Sequence, residues 1–117
     1  MNTSDKQREL IKKSKLISPD IYNILPYTHK QAKNLGVIIE PSLRTNKKID
    51  VYDKNMRYIV SVGARGYSDY PTYLEMEKLG IYKNGHAKKR RTLYKKRHNK
   101  NIGVIGSGGY YADKLLW

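Results

Sequence analysis

Residues 83–100, KNGHAKKRRTLYKKRHNK, constrain this chain more than any other stretch. They hold nine Lys or Arg and no Asp or Glu, and so supply +9 of a formal net charge of +14. Such a run repels itself when left alone, which implies a negative surface supplied by another molecule. At 100° per residue a helix over Ala87–His98 places Ala87, Arg90, Arg91, Tyr94, Arg97 and His98 on one side. Lys88, Lys89, Lys95 and Lys96 fall on the other. Ammonium groups are mobile, strongly hydrated point charges suited to diffuse contact, whereas guanidinium forks bind carboxylate or phosphate at two points and stack on rings. The bland alternative is a solvated helix face. A merely soluble helix, however, interleaves Glu at i±4, and no acid stands between Glu77 and Asp113. Lys88, Lys89, Arg90, Arg91, Lys95, Lys96, Arg97 and His98 are therefore the expected polyanion-binding residues.

The rest of the chain has to provide the fold. With 117 residues, one domain and an arm are expected. The apolar share is 38% and contains no Phe, one Trp and eleven Tyr, so the core is expected to be thin. Several Tyr hydroxyls then lie half-buried or at an interface; Tyr67, Tyr70, Tyr110, Tyr111 and Trp117 are the expected partner-docking residues. The absence of Cys excludes disulfides and thiolate metal sites. No apolar run reaches the roughly 20 residues of a membrane span, and MNTSDKQRELIKK lacks the apolar centre of a secretory signal. A soluble intracellular or particle-enclosed protein is expected.

Along the chain, Ser4 with Gln7 and Thr28 with Gln31 form capping-box patterns, predicting helices over Asp5–Leu16 and His29–Leu35, the second ended by Gly36. Between them Ser18-Pro19 opens a short turn carrying Ile21, Tyr22, Ile24 and Leu25, which Pro26 stops. Residues 1–36 thus read as an N-terminal helical arm and 37–117 as a small basic α+β domain. From Val37 the period changes to two: VIIE, then KIDVYD and RYIVSVG around Asp53-Lys54-Asn55, predict an antiparallel sheet of two or three strands. Thr72 with Glu75 is read as the cap of a helix through Leu79, with Tyr73 and Glu77 outside. NIGVIGSGG is read as a flexible or tightly turned connector to YYADKLLW, which is expected to dock on the sheet or on a neighbour.

The motifs offer little chemistry. IGVIGSGGYYA imitates a dinucleotide turn but lacks the following βαβ unit and ribose-binding acid, and GIY at Gly80–Tyr82 is half of a nuclease motif without its catalytic partners. His29, His86 and His98 have no metal-ligand spacing. The carboxylates Asp50, Asp53, Asp69, Glu75, Glu77 and Asp113 are expected to neutralise Arg65, Arg91 or Arg97. No catalytic residue, metal, cofactor or small-molecule substrate is expected, so the chain is read as a non-enzyme. Tyrosine interleaved with cations, as in ARGYSDYPTY and RRTLYKKRH, fits either stacking on single strands or a wet protein interface. Six phosphate contacts to a duplex would give log K a slope near −5 against log salt, about −0.9 for each.

From Asn34 to Trp117 four blocks occur in one order: LGVIIEPS with the basic loop and KIDVYDKN, GARGYSDYPTY, AKKRRTLYKKRH and GSGGYYADKLLW. In these the chain resembles an uncharacterised family of small basic proteins encoded by large nucleocytoplasmic DNA viruses, the giant viruses. Members carry more charge where Asn99, Asn101, Ile102, Gly103, Val104 and Ile105 stand here. The resemblance implies a viral origin and no known activity, and no functional residue is carried over from it. The expectation is a minor capsid or core-associated virion component, present in the virion and, during assembly, in host cytoplasm or viral factory. Its partners would be acidic surfaces of other virion proteins, DNA, or both. The alternative is a nucleic-acid-binding regulatory module acting during infection.

Overall fold

The computed structural model describes residues 21–117, arranged as a three-stranded antiparallel sheet with short helices, an α+β fold. The helix expected over Asp5–Leu16 lies outside the described residues, as does the start of the Ser18-Pro19 turn. Residues 22–25 are irregular. Pro26 begins a helix where the sequence reading had it stop a turn: α1 runs Pro26–Leu35, with Leu25 extended ahead of it (φ −84, ψ 161). A residue before proline is pushed out of the helical region, while proline's fixed φ suits the first helical position. Thr28 is consequently not a cap but a buried first-turn residue. Gly36 ends α1 as expected, at φ 71, its N–H bonding the carbonyls of Ala32 and Lys33.

Strands β1 (Ile38–Pro41), β2 (Lys47–Tyr52) and β3 (Tyr58–Ala64) follow in spatial order β1-β2-β3. Opposite one another lie Ile39 and Val51, Ile49 and Val62, and Val51 and Val60. The β2–β3 turn is held by Asp53, whose Oδ1 accepts from the N–H groups of Asn55 and Arg57 at 2.9 Å. Those N–H groups, Arg57's first, hold the carboxyl below its ordinary range.

Four helices complete the chain: α2 (Tyr70–Lys78), α3 (His86–Arg97), α4 (Asn99–Ile102) and α5 (Gly108–Leu116). The cap of α2 is Asp69 and not Thr72; its carboxylate accepts from the Thr72 N–H and hydroxyl, the stronger acceptor winning the position. The glycine-rich stretch is only partly a connector. Gly108 and Gly109 open α5 behind the Ser107 cap, and a Cβ at Gly109 would come within 2.9 Å of Asn101, so glycine permits the close approach of α4 and α5.

Ile49, Val51 and Val62 form the core with Ile39, Ala32 of α1, and Leu115 and Leu116 of α5. Helix α1, assigned to an arm from its composition, therefore belongs to this core, and it is tied to α5 by Gln31 Nε2 donating to the Lys114 carbonyl at 3.0 Å. Each buried leucine contributes on the order of 2–5 kcal/mol against truncation to Ala. The alternate positions of the central strand are also covered: Lys48 and Asp50 are buried. Asp50 accepts from Ser61 Oγ at 2.5 Å, and Lys48 Nζ donates to Asp69 at 2.8 Å and to the Tyr67 carbonyl at 2.6 Å. Tyr22 adds a third bond to Asp69, its hydroxyl donating at 2.8 Å.

Candidate polyanion-binding surface

Helix α3 has almost no apolar stripe of its own, so its attachment depends on partners from elsewhere in the chain. Gly85 precedes it at φ 93 and gives no side-chain cap. The cap comes from α2: Glu77 Oε1 accepts from the Ala87 N–H at 2.6 Å, a carboxylate at the positive end of the helix dipole. Glu77 therefore faces inward, contrary to the sequence reading, and so does Tyr73, which is 9% exposed. Near the other end Lys95 Nζ reaches Asp113 of α5 at 2.6 Å. A seam of rings runs between these two anchors. Tyr82 stacks on His86 at 4.1 Å, His86 meets the edge of Tyr73, Tyr73 leans on Trp117, and Trp117 lies parallel to Tyr94 at 4.2 Å and 6°. His98 continues it, stacking on Tyr94 at 4.3 Å. Burial pushes the Tyr94 hydroxyl pKa up, aided by the charge of Asp113 and opposed by Arg97.

The inward stripe of α3 is thus Ala87, Arg91, Tyr94, Lys95 and His98. This corrects the expected division of faces at three positions, since Lys95 turns inward while Arg90 and Arg97 are exposed. Lys95 is not a diffuse-contact lysine, because Asp113 claims it. Arg91 is half-buried, with its guanidinium over the Tyr70 ring at 4.9 Å. Lys88, Lys89, Arg90, Lys96 and Arg97 remain exposed. Among the described residues, Lys95 alone of the nine cations in 83–100 is ion-paired. The expected carboxylate pairings also differ. Asp69 serves Lys48, Asp50 faces Arg44, Asp53 faces Arg57 and Asp113 serves Lys95, while Arg65, Arg91 and Arg97 have no acid partner among the described residues.

Tyr67 stands out at 75% exposed. The other expected docking residues are half-buried against the chain itself: Tyr70 on Tyr27, Tyr110 on Tyr111, and Trp117 on Tyr94. The sequence reading missed a groove of about 530 Å3 that α3 leaves open against β3 and α5. Its lining includes Arg90 and Arg97 of α3 together with Lys47, Tyr67, Gly108 and Trp117. Comparison with family models, curated proteins and solved structures returned no match. Residue chemistry therefore carries the functional reading. Among the described residues no cluster of His, Asp or Glu is placed to hold a metal ion, and no helix is long and apolar enough to cross a membrane.

Proposed function

We propose that this chain is a non-enzymatic virion component, a minor capsid or core-associated protein that lays the outward face of α3 against an acidic partner, either DNA or an acidic capsid protein. The observation that carries the reading is a helix fastened along its inner side while Lys88, Lys89, Arg90, Lys96 and Arg97 stay exposed and unmatched by any described carboxylate. Anchored positive charge of this kind steers and orients association with a polyanion. The viral setting is supplied by the resemblance of the four sequence blocks. Crosslinking mass spectrometry on intact particles tests both parts at once. Crosslinks from Lys88, Lys89 and Lys96 to an acidic virion protein, or to DNA with a DNA-reactive linker, are expected; absence of the chain from purified particles overturns the reading.

A second reading, a nucleic-acid-binding module acting during infection, is favoured by the ring-lined groove beside α3. It predicts salt-dependent binding of the isolated protein to DNA or RNA, abolished by charge reversal at Lys88, Lys89 and Lys96. Failure to bind at low salt would end it.

A further inference from the structure

We infer that the groove between α3, the outer edge of β3 and the start of α5 takes an unpaired base of a single-stranded nucleic acid, with the flanking phosphates on its cationic rim. This rests on the reading of α3 as a polyanion-binding element and adds a preference for single strands. At about 530 Å3 the groove lies within the range of small-ligand sites, roughly 300–1,000 Å3.

Charge narrows the choice of occupant. Among the described residues no Asp or Glu lines the groove, whereas Lys47, Arg90 and Arg97 do and are exposed. Lys48 also lines it but is already committed to Asp69, so the rim cations are the ones available to an anion. The remaining lining selects for a flat ring. Tyr73, Tyr94, His98 and Trp117 line the groove with rings, and Gly108 and Ala112 contribute almost no side chain, so a planar group can approach closely. Residues 61–64 line it consecutively and belong to β3, an edge strand among the described residues, whose backbone donors and acceptors on the side away from β2 are paired by no other described strand. Such groups match the hydrogen-bonding edge of a base.

Stacking comes from Tyr67. Tyr94 is already sandwiched between Trp117 and His98, but Tyr67 is 75% exposed, lines the mouth and makes no ring contact with the described residues. A base between Tyr67 and the Trp117 end of the floor would stack while its phosphates reach Arg90 and Arg97. Bases held in a duplex cannot enter without being unstacked and unpaired, so duplex is restricted to the outer face of α3. The rival occupant is an acidic peptide that adds a strand to β3; the ring-lined floor favours the base.

Trp117 is the only tryptophan of the chain and lines the groove, so its fluorescence reports on what enters. The full chain is titrated at low salt with an oligothymidylate, a duplex of equal length, heparin and polyglutamate. All the polyanions are expected to bind, but only the oligothymidylate to quench Trp117 and to bind more tightly than the duplex. Tyr67→Ala should weaken the oligothymidylate about tenfold, the loss of one base–aromatic stack, and leave heparin unchanged. Binding of all four ligands with Trp117 emission unmoved overturns the groove assignment and leaves the polyanion reading standing. No binding to any of them overturns both. Quenching by polyglutamate in preference to the oligothymidylate replaces the base with a peptide, and an equal loss of heparin and oligothymidylate in Tyr67→Ala also overturns the assignment.

Discussion

Lys48 and Lys88 carry the same ammonium into opposite surroundings. Lys48 is buried beside the sheet, its Nζ shared between the Asp69 carboxylate and the Tyr67 carbonyl. Lys88 stands exposed on α3 with no carboxylate partner among the described residues. Around Lys48 the charges are answered from within: Asp69 accepts from Lys48, Tyr22 and both donors of Thr72. Around Lys88 the chain answers only what it needs to hold the helix, using Glu77 at one end and Asp113 near the other. The scarce acids are thus spent on architecture, and the outward cations are left for another molecule.

That contrast breaks most visibly at Asp69. Asp69→Ala removes the cap of α2 and leaves Lys48 buried without its counter-charge, so a loss of about 3–5 kcal/mol is expected in urea unfolding. A loss below about 1 kcal/mol would mean that water reaches Lys48 and that the two regions differ less than described. Reversing Lys88, Lys89 and Lys96 to Glu should do the converse. Stability should stay within about 0.5 kcal/mol, while polyanion binding is lost. Neutralising the same three to Gln should make the salt slope shallower by about 3.

Asp113→Asn sharpens the middle case, because Lys95 is 35% exposed and can turn to water once released. About 1 kcal/mol of stability is expected to go, screened relative to the Asp69 site. Binding should be maintained or strengthened, since a further cation becomes free; a weaker affinity would show that the orientation of α3 matters more than its charge. The smallest effect is expected with pH. Burial, then the charge and hydrogen bond of Asp69, raise the Tyr22 hydroxyl pKa above its ordinary 10.0. A raised value in the folded state means the contribution is complete below pH 10 and is lost as pH climbs toward the folded value. Tyr22→Phe should flatten that alkaline decline in the unfolding midpoint, and an unchanged decline would place its origin in Tyr27 and Tyr94, whose hydroxyls burial also shifts upward.

Local patterns were legible in the sequence. Alternation in IDVY and YIVSV marked the hairpin, the Asp53 turn sat where expected, and the basic run is a helix over nearly the expected residues. Misread features depend on partners distant in the chain. Lys95 finds its acid 18 positions away in Asp113, and Glu77 finds the Ala87 N–H at 10. A helical wheel assumes that apolar residues define the inner face, but the inner face of α3 is fixed by an ion pair, a carboxylate cap and stacked rings. The competition between Asp69 and Thr72 for the cap of α2 was open to local reading: Asp69 directly precedes Tyr70-Pro71, and proline marks a first turn. The groove left no local trace, because its walls come from five elements.

The attachment of α3 through Glu77 and Asp113 also bears on how quickly a target can be captured. An unanchored cationic segment of this composition would sample many shapes and lose that freedom on each encounter, a cost of about 1–2 kcal/mol for every residue fixed. Held as a rod before any collision, it presents its guanidinium and ammonium groups at a set spacing, and contact requires alignment without prior winding. Capture should then follow encounter frequency, with single-exponential kinetics whose rate rises in proportion to target concentration.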